Sequence, residues 1–198
     1  MTPLVLASSS RVRAAILAAS GIAAATVPAN VDEDAVKEGL EAEKAPPRNI
    51  ADTLAELKAL RVSCRMPQAL VIGCDQVLDC GGRLFNKPSD RAAARRQLLE
   101  LKGRTHILHS AVCVAKGGAV IWRHIASPKL TMRAFSDAFL DHYLEEAGDA
   151  VTSSVGGYQL EGPGSQLMSR IEGDYFSILG LPLLPLQAFL RDQEVLVP

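Results

Sequence analysis

Residues 69–76 read ALVIGCDQ, and this stretch predicts the strand on which the rest of the fold depends. Its first six residues carry no charge, a pattern typical of a strand that is buried on both faces. The run ends on Asp75, and a carboxylate at the end of a buried strand costs free energy unless it has a partner. We therefore favour a functional role for Asp75 over a purely structural one.

A hairpin is predicted to follow this strand, with its turn at residues 80–82. If Asp79 pairs with Arg83, then Asp75 lies opposite Lys87, with Cβ atoms about 4.5–5.5 Å apart. We expect Lys87 to keep Asp75 ionised. The alternative is that Lys87 is only a structural ion-pair partner.

Near the start of the chain, an apolar run at residues 4–7 predicts another buried strand. Three serines follow at residues 8–10, each a suitable N-cap, and apolar residues then recur at helical spacing up to Gly21. Free N–H groups at a helix N-terminus attract anions, so this order of strand, polar turn and helix predicts an anion site.

The remaining pattern predicts helices and strands in a mixed order. Asn49 is expected to cap a helix that carries Lys58 beside its apolar face, and Ser89 to cap a helix that ends near Gly103. A second hairpin is predicted at residues 106–126, and a helix after Ser136. Since strands alternate with helices early and cluster in the middle, we predict an α/β fold with a mixed sheet and flanking helices.

Length and composition narrow the class of protein. The chain has 198 residues, 48% hydrophobic and 22% charged, which predicts a single domain covering residues 1–198, with two lobes. The net charge of −1 argues against nucleic acid as a partner. The four cysteines form no CxxC pair, so we expect reduced thiols and no zinc site. No basic leader or membrane-length apolar run is present, which predicts a cytoplasmic protein with no membrane partner.

Charged residues of both signs follow the apolar strands or lie near them. Carboxylates occur at Glu33 and Asp75, and cations at Arg13, Lys58 and Lys87. Carboxylates hold a hard divalent cation that bridges phosphate oxygens, while lysine and arginine balance the remaining phosphate charge. The combination predicts a site for a metal-bound polyphosphate. Taken singly, each of these residues except Asp75 is more often an ordinary surface or capping residue.

Several motifs together resemble the Maf family of nucleotide pyrophosphatases. The segment LASSSRVR at residues 6–13 is similar to the family's signature loop, and further similarity lies in order along nearly the whole chain. The similar segments are residues 31–33, Lys58, 73–77, 86–88, 157–162, 171–175 and 179–183. The resemblance implies a two-lobed α/β fold with a central cleft. It also implies metal-dependent hydrolysis of a nucleoside triphosphate to monophosphate and diphosphate.

The resemblance also implies roles for individual residues. Asp75 would be the catalytic carboxylate, either as a base for water or as a metal ligand, and both roles stay open. Glu33 would be a second ligand for Mg²⁺ or Mn²⁺. The residues that would hold the substrate phosphates are Ser8, Ser10, Arg13, Lys58 and Lys87.

Three positions bear on the choice of base: Val12, Gln76 and Glu161. Gln76 and Glu161 resemble the members that act on 7-methyl-GTP more than those that act on dTTP and UTP. A carboxylate suits the donors of a guanine edge, whereas an amide suits a pyrimidine, so we favour a purine-type substrate. An alternative function is a nucleotide-binding regulator of septum formation that acts through a protein partner. A homodimer is left open.

Overall fold

The computed structural model describes residues 2–197 as an α/β fold with a mixed sheet, as predicted. The strands are β1 (Leu4–Ala7), β2 (Ala25–Thr26), β3 (Leu70–Cys80), β4 (Arg83–Phe85), β5 (Thr105–Lys116), β6 (Ala119–Ala126), β7 (Lys129–Met132) and β8 (Met168–Glu172). The α-helices are α1 (Arg11–Ala19), α2 (Glu33–Ala42), α3 (Pro47–Ser63), α4 (Arg91–Leu101), α5 (Asp137–Ala147), α6 (Tyr175–Ile178) and α7 (Leu183–Asp192). Short 3-10 turns lie at Gly148–Thr152, Val155–Gly157 and Pro163–Leu167.

The sheet has the order β2-β1-β3-β5-β7-β8, with β4 beside β3 and β6 beside β5. β1 is parallel to β3, and β5 is antiparallel to it. β5 occupies one edge of β3 over residues 71–79. β1 and β4 share the other edge, at residues 70–73 and 78–80. Between them, residues 74–77 have no strand partner on that edge, which places Asp75 at a break in the sheet.

Helix α3 lies directly against β3 because Gly73 has no side chain. A Cβ atom built on Gly73 would lie 2.6 Å from the backbone nitrogen of Ala59 and would also collide with the carbonyl oxygen of Ala55. Contacts as short as these cannot be relieved by side-chain rotation, since both atoms belong to the helix backbone. The close approach brings Lys58 of α3 against the end of the buried run in β3.

The register predicted for the first hairpin is wrong by one residue. Cys80 pairs with Arg83, Asp79 pairs with Leu84, and the ladder ends at Phe85. The reason is that the turn uses only two residues, Gly81 and Gly82, both with positive φ (67° and 85°), which suits a tight hairpin. Asp75 therefore does not face Lys87.

Some predicted helix starts are also displaced. Helix α3 begins at Pro47, and Asn49 lies within its first turn, because proline is well suited to the first helical position. Asp90, not Ser89, caps α4, and its carboxylate accepts a hydrogen bond of 2.6 Å from the backbone of Ala93. The predicted N-caps Ser10 and Ser136 are confirmed.

The acidic segment at residues 32–34 forms the start of a helix. Asp32 accepts a hydrogen bond of 3.1 Å from the backbone of Ala35 and so caps helix α2. Glu33 is the first residue of that helix, which continues to Ala42. None of the helices within residues 2–197 combines the length and the apolar character that crossing a bilayer requires.

The cysteines are free thiols, as predicted. Cys74, Cys80 and Cys113 are buried and Cys64 is exposed. Burial raises the pKa of the Cys74 thiol to about 11 and that of Cys113 to about 12, so both stay protonated at neutral pH.

Candidate functional site

One large cleft gathers the residues that the sequence singled out. Its volume is about 1370 Å³, and it opens at the break in the sheet beside Asp75. The cleft is lined by every predicted site residue: Ser8, Ser10, Val12, Arg13, Glu33, Lys58, Asp75, Gln76, Lys87 and Glu161. Residues from six parts of the chain therefore meet in a single cavity.

The charged residues of the cleft are centred on Lys58, whose ammonium group bridges two carboxylates. Its Nζ lies 2.7 Å from Oδ1 of Asp75 and 2.8 Å from Oε1 of Glu33. Lys58 and Asp75 are buried, with 7% and 4% of their surface exposed, whereas the Glu33 side chain is 42% exposed. The partner of Asp75 is thus Lys58 and not Lys87, which is exposed and lines the same cleft from the loop after β4.

The second oxygen of Asp75, Oδ2, is buried and has no hydrogen-bond partner within residues 2–197. A buried carboxylate oxygen without a partner is costly, so its presence in a cleft indicates a place for a ligand or a proton. Partial burial acts to raise the pKa of Glu33, but the nearby ammonium of Lys58, with Lys37 and Arg13, lowers it below its ordinary value.

Most nitrogen atoms of the Arg13 guanidinium already form hydrogen bonds within the protein. Arg13 donates from Nε to the carbonyl oxygen of Gly180 at 2.8 Å and from Nη1 to that of Cys74 at 3.0 Å. It also contacts the Ser8 hydroxyl at 3.4 Å. The Ser10 hydroxyl caps α1 by accepting from the backbone of Arg13 at 3.3 Å. The predicted strand, polar turn and helix therefore exist, and Ser8 is buried at the bottom of the turn.

The next residue of β3, Gln76, points to the other face of the sheet. Its Nε2 donates to Ser110 Oγ at 2.8 Å and to the carbonyl oxygens of Ser177 and Ile178 at 3.2 and 2.9 Å. The amide hydrogens of Gln76 are therefore used within the protein. Glu161, by contrast, is an exposed residue on the cleft wall.

The cleft has an apolar part as well as a charged part. The apolar part is lined by Leu108, Val155, Tyr158, Leu160, Ile178 and Leu179. Tyr158 is buried, and its hydroxyl lies 2.6 Å from Nε2 of His106, which fixes its ring at the edge of the cleft. A charged part beside an apolar part is the arrangement that a ligand with both a polyanionic and a planar apolar portion requires.

The residues of the cleft lining that received no role from the sequence include Arg11, Lys37 and Asn86. The Lys37 ammonium lies 3.4 Å from the side-chain oxygen of Asn86. Lys37 follows Glu33 by four residues, so it lies on the same face of α2, and recognising α2 as a helix would have found it. Asn86 was inside a quoted motif but received no role.

The carboxylates of the cleft can be compared with the ligands that a divalent cation requires. No group of three or more His, Cys, Asp or Glu side chains placed to hold a metal occurs in the described part of the chain. Glu33 and Asp75 lie within reach of one lysine nitrogen, and Oδ2 of Asp75 is free of protein partners. Mg²⁺ is usually held by one or two carboxylates together with water and substrate phosphates. Glu33 and Asp75, two carboxylates that line one cleft, fit that pattern.

Comparison with known proteins agrees with this geometry. Residues 3–193 match the family described as Maf-like protein. The chain is 56% identical over 193 residues to a nucleoside triphosphate pyrophosphatase of Paramagnetospirillum magneticum, covering 98% of this chain and 100% of that one. It is 50% identical over 191 residues to a 7-methyl-GTP pyrophosphatase of Brucella abortus, covering 96% of each.

Proposed function

Because the chain belongs to the Maf-like protein family, we propose that it hydrolyses a nucleoside triphosphate to the monophosphate and diphosphate. The observation that carries this proposal is the buried Lys58 between two carboxylates at the floor of a mixed charged and apolar cleft. Relatives are named for pyrophosphatase activity, which favours an enzyme over a regulator of septum formation.

In this proposal Asp75 handles the proton of the attacking water. Oδ1 is fixed by the Lys58 ammonium, which leaves Oδ2 as a lone-pair donor of defined position. Water attacks the α-phosphorus, its proton passes to Oδ2, and the bond from the α-phosphorus to the bridging oxygen breaks to release diphosphate. A divalent cation held by Glu33 would neutralise charge on the phosphates, and Asp75 would join it as a ligand in the alternative role in which it does not take the proton.

The cations of the cleft would bind the phosphate chain. Lys58 lines the cleft beside Asp75, and Lys87, on the loop after β4, adds a second positive charge from the wall of the cleft. Ser8, Ser10 and the N-terminus of α1 contribute donors on the opposite side. Arg13 would act mainly through its charge and through Nη2, since its other nitrogens bond to protein oxygens.

For the base we propose a guanine-type ring, with 7-methyl-GTP as the candidate. Glu161 lines the cleft and can accept hydrogen bonds from the ring N–H and the exocyclic amine of guanine. A relative named 7-methyl-GTP pyrophosphatase shares 50% sequence identity with this chain. Val12 lines the same cleft and would contact the nucleotide through its apolar side chain.

The test is release of inorganic diphosphate with Mg²⁺ or Mn²⁺ from 7-methyl-GTP, GTP, dTTP, UTP and CTP. We expect turnover that disappears without a divalent cation and falls by at least about a hundredfold in Asp75→Asn. Arg170→Gln, an exposed residue of β8 outside the cleft, is the matched control. Absence of diphosphate from every nucleotide would reject the proposal, and much faster cleavage of dTTP or UTP would reject the assignment of the base.

We further infer one functional domain with two lobes, in the cytoplasm and without nucleic-acid or membrane partners. The homodimer stays a prediction, and the mass in solution tests it.

A further inference from the structure

One wall of the apolar part of the cleft is a short segment at residues 177–180. Ile178 and Leu179 of this segment line the cleft. Its first two residues are the end of α6, a helix of only four residues, and the chain turns at Gly180 with φ of 93° before α7 begins. A segment with so little regular structure depends on bonds from elsewhere for its position.

Side chains from two other elements supply those bonds. Gln76 donates to the carbonyl oxygens of Ser177 and Ile178, and the hydroxyl of Ser110 on β5 donates to that of Ser177 at 2.6 Å. Arg13 binds the carbonyl oxygen of Gly180 at the far end. Three carbonyl oxygens out of four consecutive residues are thus held by side chains distant in sequence.

The hydrogen-bond directions leave little freedom at Gln76. The Ser110 hydroxyl donates its only hydrogen to the carbonyl oxygen of Ser177, so it must accept the hydrogen bond from the Gln76 amide. If the amide turned over, its oxygen would face three oxygen atoms, so the NH₂ group must point toward the wall. Gln76 accordingly has no hydrogen left for a base, and only its carbonyl oxygen is available to a ligand.

We propose that Ser110 and Gln76 are positioning residues that set nucleotide affinity by holding the wall of Ile178 and Leu179 in place. Ser110 is fully buried, is absent from the cleft lining and does not contact the ligand in this scheme. This inference rests on the proposed function, since it concerns the nucleoside part of the same substrate. In this scheme Gln76 affects binding of the base by positioning Ile178 and Leu179, and not by a direct contact with the base.

The decisive variants are Ser110→Ala and Gln76→Met. Each removes hydrogen bonds to the wall and leaves Lys58 and Asp75 unchanged. We expect KM for the cleaved nucleotide to rise about tenfold, the effect of one or two lost hydrogen bonds, while kcat changes less than about threefold. The inhibition constant of imidodiphosphate, which has no base, should stay unchanged because it needs only the charged part.

Ser177→Ala is the matched control. The Ser177 hydroxyl is buried and has no partner among the described residues, while the backbone carbonyl oxygen of Ser177 accepts the hydrogen bonds from Gln76 and Ser110. This variant should therefore retain the KM of the wild type. Because Ser110 and Gln76 serve one network, the double variant should lose less than the product of the two single effects.

The outcomes separate the inference from the function. A wild-type chain without nucleotide turnover overturns both. An active wild type in which Ser110→Ala and Gln76→Met match Ser177→Ala overturns only the inference, as does an equal loss of imidodiphosphate affinity. If Ser110→Ala fails to fold in a thermal melt, Gln76→Met decides alone, because Gln76 is only partly buried at the cleft margin.

Discussion

Replacing Lys58 with methionine tests how much the buried ion pair between Lys58 and Asp75 contributes to the free energy of unfolding. The side chains of Lys58 and Asp75 are only 8% and 6% exposed, so water cannot solvate the carboxylate that the substitution leaves behind. Removing one partner of a buried ion pair costs about 3–5 kcal/mol, whereas loss of an exposed pair costs about 0–1 kcal/mol. The contact to Glu33, which is 42% exposed on its side chain, adds little. We expect Lys58→Met to lose about 3–5 kcal/mol of unfolding free energy at pH 7.

The measurement is urea unfolding at pH 7, combined with a second substitution at Asp75. Asp75→Asn in the Lys58→Met background removes the stranded charge and should recover most of the loss, since an amide costs less to bury than a carboxylate. Lys37→Met is the control. It removes a partly buried lysine of the same cleft and should change stability by less than about 0.5 kcal/mol.

Two results would refute this reasoning. If Lys58→Met is no less stable than Lys37→Met, then Asp75 is solvated and the buried pair does not exist. If adding Asp75→Asn destabilises the lysine variant further, the carboxylate has another partner that the structure does not show.

Two further predictions concern the packing beneath the site and its response to pH. Gly73→Ala should lower Tm by roughly 2–12 °C, from an overpacking cost of about 1–3 kcal/mol. Gly39→Ala, in an exposed helix with open space around it, should raise Tm slightly; equal behaviour of the two variants in a thermal melt would contradict the close approach of α3 and β3. Burial lowers the pKa of His106 to about 4 from the ordinary 6.5, so the unfolded chain binds more protons between these values and stability falls as pH drops from 6.5 to 4. His106→Gln should flatten this part of the urea-midpoint curve, and an unchanged slope would show that His106 is not buried as a neutral group.

The pattern of apolar runs and caps predicted much of the fold correctly. The run at residues 4–7 is β1, and the run predicted at residues 69–74 forms the first part of β3 from Leu70 onward. Ser10 and Ser136 cap the helices that were expected after them. Such features depend on a few neighbouring residues, so sequence spacing is enough to find them. The mixed sheet followed from the order of the elements.

The ion pair at the site could not be obtained in the same way. The hairpin register favoured Lys87 as the partner of Asp75, while the true partner, Lys58, was placed at the edge of an amphipathic helix. What decides between them is the depth at which α3 packs on β3, which depends on contacts between Gly73 and the α3 backbone. A contact between residues that are distant in sequence leaves no periodic trace along the chain, so no spacing rule predicts it.

The position of the cleft follows from how the edge of β3 is divided. β1 and β4 pair with the two ends of that edge and leave residues 74–77 without a strand partner, so backbone groups there must bond elsewhere. Arg13 satisfies one of them by binding the carbonyl oxygen of Cys74. Because side chains alternate along a strand, the next two residues serve opposite faces: Asp75 meets Lys58 on the α3 side, and Gln76 meets the residue 177–180 wall on the other. Under the proposed function, a single break in one strand's pairing would supply both a carboxylate for the phosphate chain and a support for the surface beside the base. The two roles would then lie next to each other because they belong to consecutive residues of one strand.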